Sequence, residues 1–453
     1  MPTPTPAVLW FRRDLRLADN PALVEATADG PVLPLFVLDP ALWAPAGPSR
    51  RAYLGASLRA LDASLRDRGG RLAAVHGDPV QELPRVVRAV GARRVHIATD
   101  FGPYGSRRDA AVERALAGAG VELVRTGSPY AVPPGRVTTG AGTPYRMFTP
   151  FHRAWVEHGW RGPAEAPGGG DWLTLDAGTA ELPDPAPPEG LTLPPAGEAA
   201  ALRRWAEFLE RVAGYAEDRD RPGVEGTSRM SVHLKWGEIH PRTMLSDLAR
   251  LRGAGAATYR RELAWREFYA DVLHARPETA RDYLRPELAR MRYDEPGARL
   301  DAWRAGRTGF PVVDAGLRQL RATGWMHNRV RMIAASFLVK DLHLEWRHGA
   351  RHFMRWLVDA DLASNQHGWQ WTAGSGTDAA PYFRVFNPTA QGRRFDPRGA
   401  YVRRWVRELA DPDAVADPHD PSPAERRATG YPDPIVDHAA ERREALARWE
   451  EIR

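Results

Sequence analysis

The chain contains no cysteine, which excludes disulfides, thiolate nucleophiles and thiolate metal sites. Lysine is almost absent: Lys235 and Lys340 are the only two, and the remaining cationic charge is arginine. No apolar run reaches membrane-spanning length and the N-terminus lacks a signal-peptide pattern, so a soluble cytoplasmic protein is expected. The first apolar run is followed by neither GxGxxG nor GxxxxGK[ST]. The usual dinucleotide and P-loop phosphate cradles are therefore missing.

At 453 residues with 43% hydrophobic content, the chain is long enough for two well-buried domains. Its net charge of +6 favours an anionic partner, and nucleic acid is the commonest one. Tryptophan is unevenly spread: only Trp10 and Trp43 lie in the first 150 residues, whereas ten lie between Trp205 and Trp405. Such density builds cores and also suits stacking on planar ligands or bases. Nothing in the sequence suggests a stable oligomer, so a monomer is expected.

Short β-type runs at 8–11, 32–38, 72–76, 95–98 and 121–124 alternate with helical spacing at 51–68 and 107–117. This alternation predicts a parallel α/β sheet. Residues 163–197 are rich in Pro, Gly and acidic residues and read as a connector with little regular structure. From 199 the pattern is helical to about 360, and a charged helix is predicted at 438–452. The expected organisation is an α/β domain at 1–130, a connector at 131–198 and a helical domain at 199–453.

Several stretches carry chemistry. Gly226–Ser231 (GTSRMS) sets hydroxyls ahead of a helix, where they cap free N–H groups or the same geometry draws a phosphate. In 262–269 (ELAWREFY), Glu262, Trp265 and Tyr269 share one helical face. That face suits a polar planar ligand, or else an aromatic core stripe with Glu262 paired to an arginine. Residues 324–332 (GWMHNRVRM) combine an indole, an amide and two guanidiniums, suited to phosphates or buried carboxylates. Asp359, Asp361 and Asn365 precede Trp369 and Trp371. Paired aspartates suit Mg²⁺, but Arg331 offers a cationic partner and no further acidic cluster is near, so no metal is expected. Residues 377–388, continuing through Gln391 to Arg393 and Arg394, interleave arginines and aromatics as nucleic-acid surfaces do.

Taken together, ELAWREFY, GWMHNR at 324–329, DxDLAxN at 359–365, WQW at 369–371 and the opening LWFRRDLRLxDN at 9–20 resemble the photolyase/cryptochrome family, and within it the class I cyclobutane pyrimidine dimer photolyases. The resemblance implies a Rossmann-like antenna domain followed by an all-helical domain holding a folded FAD. Carried over, Tyr215, Thr227, Ser228, Arg229, Met230 and Ser231 fall on the phosphate-binding segment, with Tyr259, Asn328, Arg331, Asp359 and Asp361 as further FAD contacts and Asn365 facing flavin N5. Reduced flavin would donate an electron to a flipped-out dimer held between Trp265 and Trp371. Glu262, protonated through burial, would hydrogen-bond the thymine carbonyls. Arg219, Arg266, Asn328, Arg329, Met332, Arg384, Gln391 and Arg394 complete the expected surface for UV-damaged DNA.

The resemblance also separates subgroups. The (6-4) enzymes have histidines where this chain has Asn328 and Met332, and signalling relatives of plant and insect type carry Asp or Cys where it has Asn365. Repair of cyclobutane dimers is the expectation, with (6-4) repair and blue-light signalling as alternatives. Folate-binding members place Glu where Gly105 stands, whereas Lys235, four residues beyond Ser231, matches members that bind 8-hydroxy-5-deazaflavin. That antenna is expected near Phe36, Asp100 and Lys235, with FMN or methenyltetrahydrofolate as alternatives. For flavin photoreduction, Trp369 and Trp346 match the inner and middle electron carriers and Tyr293 the outermost. Tyr293 would then have to be exposed or close to a proton acceptor such as Asp294.

Overall fold

The structure, a computed structural model, describes residues 5–176, 178–378 and 383–452. Five strands, β1 (Ala7–Phe11), β2 (Val32–Leu38), β3 (Ala73–His76), β4 (Arg94–Ile97) and β5 (Glu122–Arg125), form one parallel sheet in the order β3-β2-β1-β4-β5. Every residue of β1 is buried, as expected of a central strand covered by helices on both faces. The crossovers are α1 (Pro21–Asp29), α2 (Pro48–Arg66), α3 (Pro79–Val90) and α4 (Pro103–Ala117). Each opens on a proline, whose fixed φ suits the first turn and whose missing N–H would have had no partner there.

The strand order reverses at β1 and β4. In open α/β sheets the crevice beyond the carboxyl ends of such strands is where ligands bind. The segments leaving β1 and β4 place Arg12, Arg13 and Asp100 there.

Within 131–198 the chain forms α5 (Phe148–His158), whose Phe148, Phe151 and Trp155 share a core with Trp205, Phe208 and Phe268. The helical unit contains α6 (Glu198–Leu209), α7 (Ala254–Ala275), α8 (Asn328–Ser336), α9 (Trp346–Trp356), α10 (Leu362–Ala373) and α11 (His438–Glu450). One of its cores gathers α5, α6 and α7; the other gathers residues from α8, α9 and α10 with the C-terminal region. The last helix is docked: Arg448 pairs with Asp294 at 2.7 Å, and Trp449 stacks on Phe383 with ring centroids 4.8 Å apart.

A polar seam joins the two units. The Glu238 carboxylate, fully buried, accepts from Tyr53 Oη at 2.8 Å and Ser57 Oγ at 2.6 Å on α2, and from the Gly197 N–H at 2.7 Å. His233 Nδ1 lies 2.6 Å from the same carboxylate.

Candidate functional site

A cavity of about 510 Å³ opens between α7, α8 and α10. Helical spacing on α7 turns Glu262, Trp265, Arg266 and Tyr269 toward it, and α8 contributes Asn328, Arg329, Arg331 and Met332. Asp359, Asp361, Asn365, Trp369 and Trp371 line the opposite wall. Residues dispersed over more than a hundred positions thus meet in one space.

The two aspartates are held apart by separate cations. Asp359 Oδ2 accepts from Arg331 at 2.8 Å and from the Ser231 hydroxyl at 2.6 Å. Asp361 caps α10 through Ser364 N and pairs with Arg13 at 2.6 Å. Burial disfavours the Asp361 carboxylate, but Arg13, Arg266 and Lys235 outweigh it and hold its pKa well below the ordinary range. Asp359 thus pairs with Arg331, the partner weighed from the sequence, and Asp361 with Arg13, which the sequence did not single out.

Asn365 donates its amide to Ala350 O at 3.2 Å and to Gln366 Oε1 at 2.8 Å, while Gln366 Nε2 donates to Ala280 O at 2.6 Å. This network fixes the amide orientation, so Asn365 Oδ1 remains as a hydrogen-bond acceptor.

Burial raises the Glu262 pKa, opposed by Arg219, which donates to Oε1 at 2.6 Å. Arg219, expected on the DNA surface, pairs with this carboxylate because its turn packs beside α7. Arg266, also expected on DNA, donates to Pro129 O and Leu234 O and lies over the Tyr130 ring; it supports the wall rather than reaching outward. Arg329 pairs with Asp220 at 2.9 Å. Arg384 and Arg394 are exposed and Gln391 half-buried. Of the sequence stretch 377–388, residues 379–382 lie outside the described residues.

Beside the cavity, side-chain capping, one of the two uses open to the hydroxyl run, does not form. No side chain caps the short helix Ser231–Trp236: Ser228 Oγ bonds Tyr259 Oη at 2.7 Å and accepts from Met230 N, and Ser231 turns to Asp359. The first-turn N–H groups are left without a side-chain cap, the arrangement that attracts an anion. Tyr215, Tyr259 and Met230 are buried against Trp205 and Phe208, Thr227 is half-buried, and Arg229 adopts φ +55°.

Trp369 and Trp346 are buried, and Trp346 meets Tyr283 edge to face at 6.0 Å. Tyr293 is neither exposed nor served by Asp294, whose carboxylate is taken by Arg448. Its hydroxyl instead bonds Tyr283, which donates to Glu345 at 3.0 Å. Tyr283 and Glu345 were missed in the sequence because neither belongs to a dense motif.

At the sheet's switch point, Asp100 and Lys235 lie within electrostatic reach of each other, and buried Phe36 shares a cluster with Trp236. Burial acts against the Asp100 carboxylate, but Arg13, Arg108 and Arg12 hold its pKa down. A side chain at position 105 would collide with that carboxylate, at 2.1 Å from a Cβ. Burial pushes the Lys235 ammonium down to about 7.

Comparison with known proteins gives two family matches: FAD binding domain of DNA photolyase over residues 259–451, and DNA photolyase over 7–168. A deoxyribodipyrimidine photo-lyase of Streptomyces griseus is 43% identical over 99% of each chain. A bacterial class III photolyase from Agrobacterium tumefaciens superposes with TM-score 0.92 at 35% identity, covering 100% of this chain and 98% of that one. An archaeal photolyase from Sulfolobus tokodaii with two FAD molecules superposes with TM-score 0.86 at 28% identity, covering 99% of this chain and 100% of that one.

Proposed function

Since the chain belongs to the DNA photolyase family, we propose that it binds FAD in the cavity between α7, α8 and α10 and uses light to split cyclobutane pyrimidine dimers in DNA. One observation carries this: Glu262, Trp265 and Trp371 share a single cavity with Asp359, Asp361 and Asn365. The cavity suits a dinucleotide flavin. Its volume is in the range of cofactor sites, and two of its lining groups, buried Asp359 Oδ1 and Trp369 Nε1, have no protein partner among the described residues.

When bound and reduced, FAD supplies a photo-excitable one-electron donor. The protein's part is placement and electrostatics. Asn365 offers an acceptor, as suits the extra N–H of a reduced flavin. Arg331 holds Asp359 and Arg13 holds Asp361, and the hydroxyl segment ending at Ser231 would receive the diphosphate. A dimer must leave the base stack to be reached, and Trp265 and Trp371 offer it aromatic walls. Protonated Glu262 donates to the dimer carbonyls and stabilises charge arriving there. Asn328 and Met332, where (6-4) enzymes place histidines, favour the cyclobutane substrate. Assignment to class I rests on these motifs, since the Agrobacterium relative is a class III enzyme.

For the antenna we propose 8-hydroxy-5-deazaflavin at Phe36, Asp100 and Lys235, on the strength of the switch-point crevice and of Gly105 packed on Asp100. FMN, methenyltetrahydrofolate and a second flavin such as the Sulfolobus relative carries are the competing occupants. Uptake of deazaflavin by purified protein, read as a new near-visible absorption band, tests the choice; uptake of folate instead overturns it. The main test is blue-light repair of thymine-dimer oligonucleotides by the reduced protein. Repair confined to (6-4) products would overturn the substrate assignment.

A further inference from the structure

Of the indoles that line the cavity, the two read as the walls of the lesion site belong to different elements, Trp265 to α7 and Trp371 to α10. A third segment, outside both, touches Trp265 and is tied to the turn that holds Trp371. Phe148, the first residue of α5 and buried, lies flat on Trp265 with ring centroids 3.6 Å apart and planes 7° from parallel. It covers one face of an indole that also borders the cavity. The Phe148 N–H donates to the Asp378 carboxylate, and the Thr377 hydroxyl donates to the Arg146 carbonyl. Asp378 in turn accepts the Trp371 indole N–H on its main-chain oxygen at 3.2 Å. Its backbone is left-handed, φ +53°, a conformation few non-glycine residues hold without support.

We propose that Phe148 and Asp378 form a bracket that sets the plane of Trp265 and its spacing from Trp371, so that both are positioning residues for recognition of the flipped dimer. The proposal rests on the reading of the cavity as the lesion site. A stacked aromatic neighbour removes the freedom of the Trp265 ring to tilt, and the Asp378 bonds do the same for Trp371. A lesion then meets two walls already set, without the cost of ordering them on binding. Phe148 acts without reaching the cavity, whereas Asp378 also lines it.

The test uses FAD-loaded full-length protein and measures affinity for a thymine-dimer oligonucleotide and for the same undamaged sequence. F148L keeps apolar bulk but removes the stack, and should lower the ratio of the two affinities roughly two- to tenfold. Flavin content and affinity for undamaged DNA should stay at wild-type levels. F148Y, which restores the ring, should return the ratio to the wild-type value. D378A should lower the ratio too, and the F148L/D378A pair should lose less than the product of the single losses, since both act through one unit. An unchanged ratio in F148L and D378A overturns the bracket, as does equal loss of damaged and undamaged affinity. W265A separates the two levels. If it leaves the ratio intact, the lesion reading fails; if it collapses the ratio while F148L and D378A do not, only the bracket fails.

Discussion

At Glu262, two opposing influences meet on one carboxyl group: burial raises its pKa and Arg219 lowers it. Only the protonated form donates to a dimer carbonyl, so the repair step should weaken as pH rises through this raised pKa. Arg219→Ala removes the opposing charge and should extend repair to higher pH, measured as single-turnover yield against pH. Glu262→Ala should slow repair about tenfold, the scale of one charge-assisted hydrogen bond, with FAD still bound by absorbance. A second residue-scale prediction concerns Tyr283, which stands between Trp346 and Tyr293 and donates to Glu345. A tyrosine can give up an electron from this position because its phenolic proton has a hydrogen-bonded carboxylate to go to, one that Arg347 also pairs with at 2.9 Å. Transient absorption should show a shorter charge-separated state in Tyr283→Phe, at least as short as in Tyr293→Phe. Trp369→Phe should abolish photoreduction while leaving repair from pre-reduced flavin. An unchanged lifetime in Tyr283→Phe would remove it from the path.

At the scale of elements, the strands and the motif-bearing helices were legible because each announces itself locally. β1 and β2 are almost wholly apolar runs, and Glu262, Trp265 and Tyr269 repeat at helical spacing on what proved to be α7. The part played by α5 was not legible: Phe148 looks like any core aromatic until its ring is seen flat against Trp265. Arg13 sits in an opening motif recognised only by likeness, and its pairing with Asp361 spans 348 positions, beyond any local signal. The arginines of the expected DNA face divide in the same way. Arg329 is already paired with Asp220, whereas Arg384 and Arg394 are exposed. Counterion release gives a slope of binding against salt that falls by roughly one for each phosphate that is no longer neutralised. Arg384→Ala and Arg394→Ala should each lower that slope by about one, and Arg329→Ala by less, in titrations of undamaged duplex at several salt concentrations. Equal slopes in all three variants would contradict this division.

Across the whole molecule, the two domains are held by polar groups as well as by apolar packing. Glu238→Ala leaves Tyr53, Ser57 and His233 buried without their shared partner. Loss of one member of such a buried network costs roughly 3–5 kcal/mol, so thermal unfolding should begin well below that of the wild type. A melting curve superimposable on wild type would show the seam to be incidental. The same seam bears on how the chain is made. The last strand of the sheet ends at Arg125, more than a hundred residues before Glu238, and N-terminal domains commonly fold while the ribosome is still at work. As the N-terminal half leaves the exit tunnel, α2 therefore carries Tyr53 and Ser57 with no carboxylate to accept their hydrogen bonds. Its outer face stays hydrated until Glu238 emerges, so the seam closes only after that residue is made, and later partners such as Asp361, which pairs with Arg13, complete the docking.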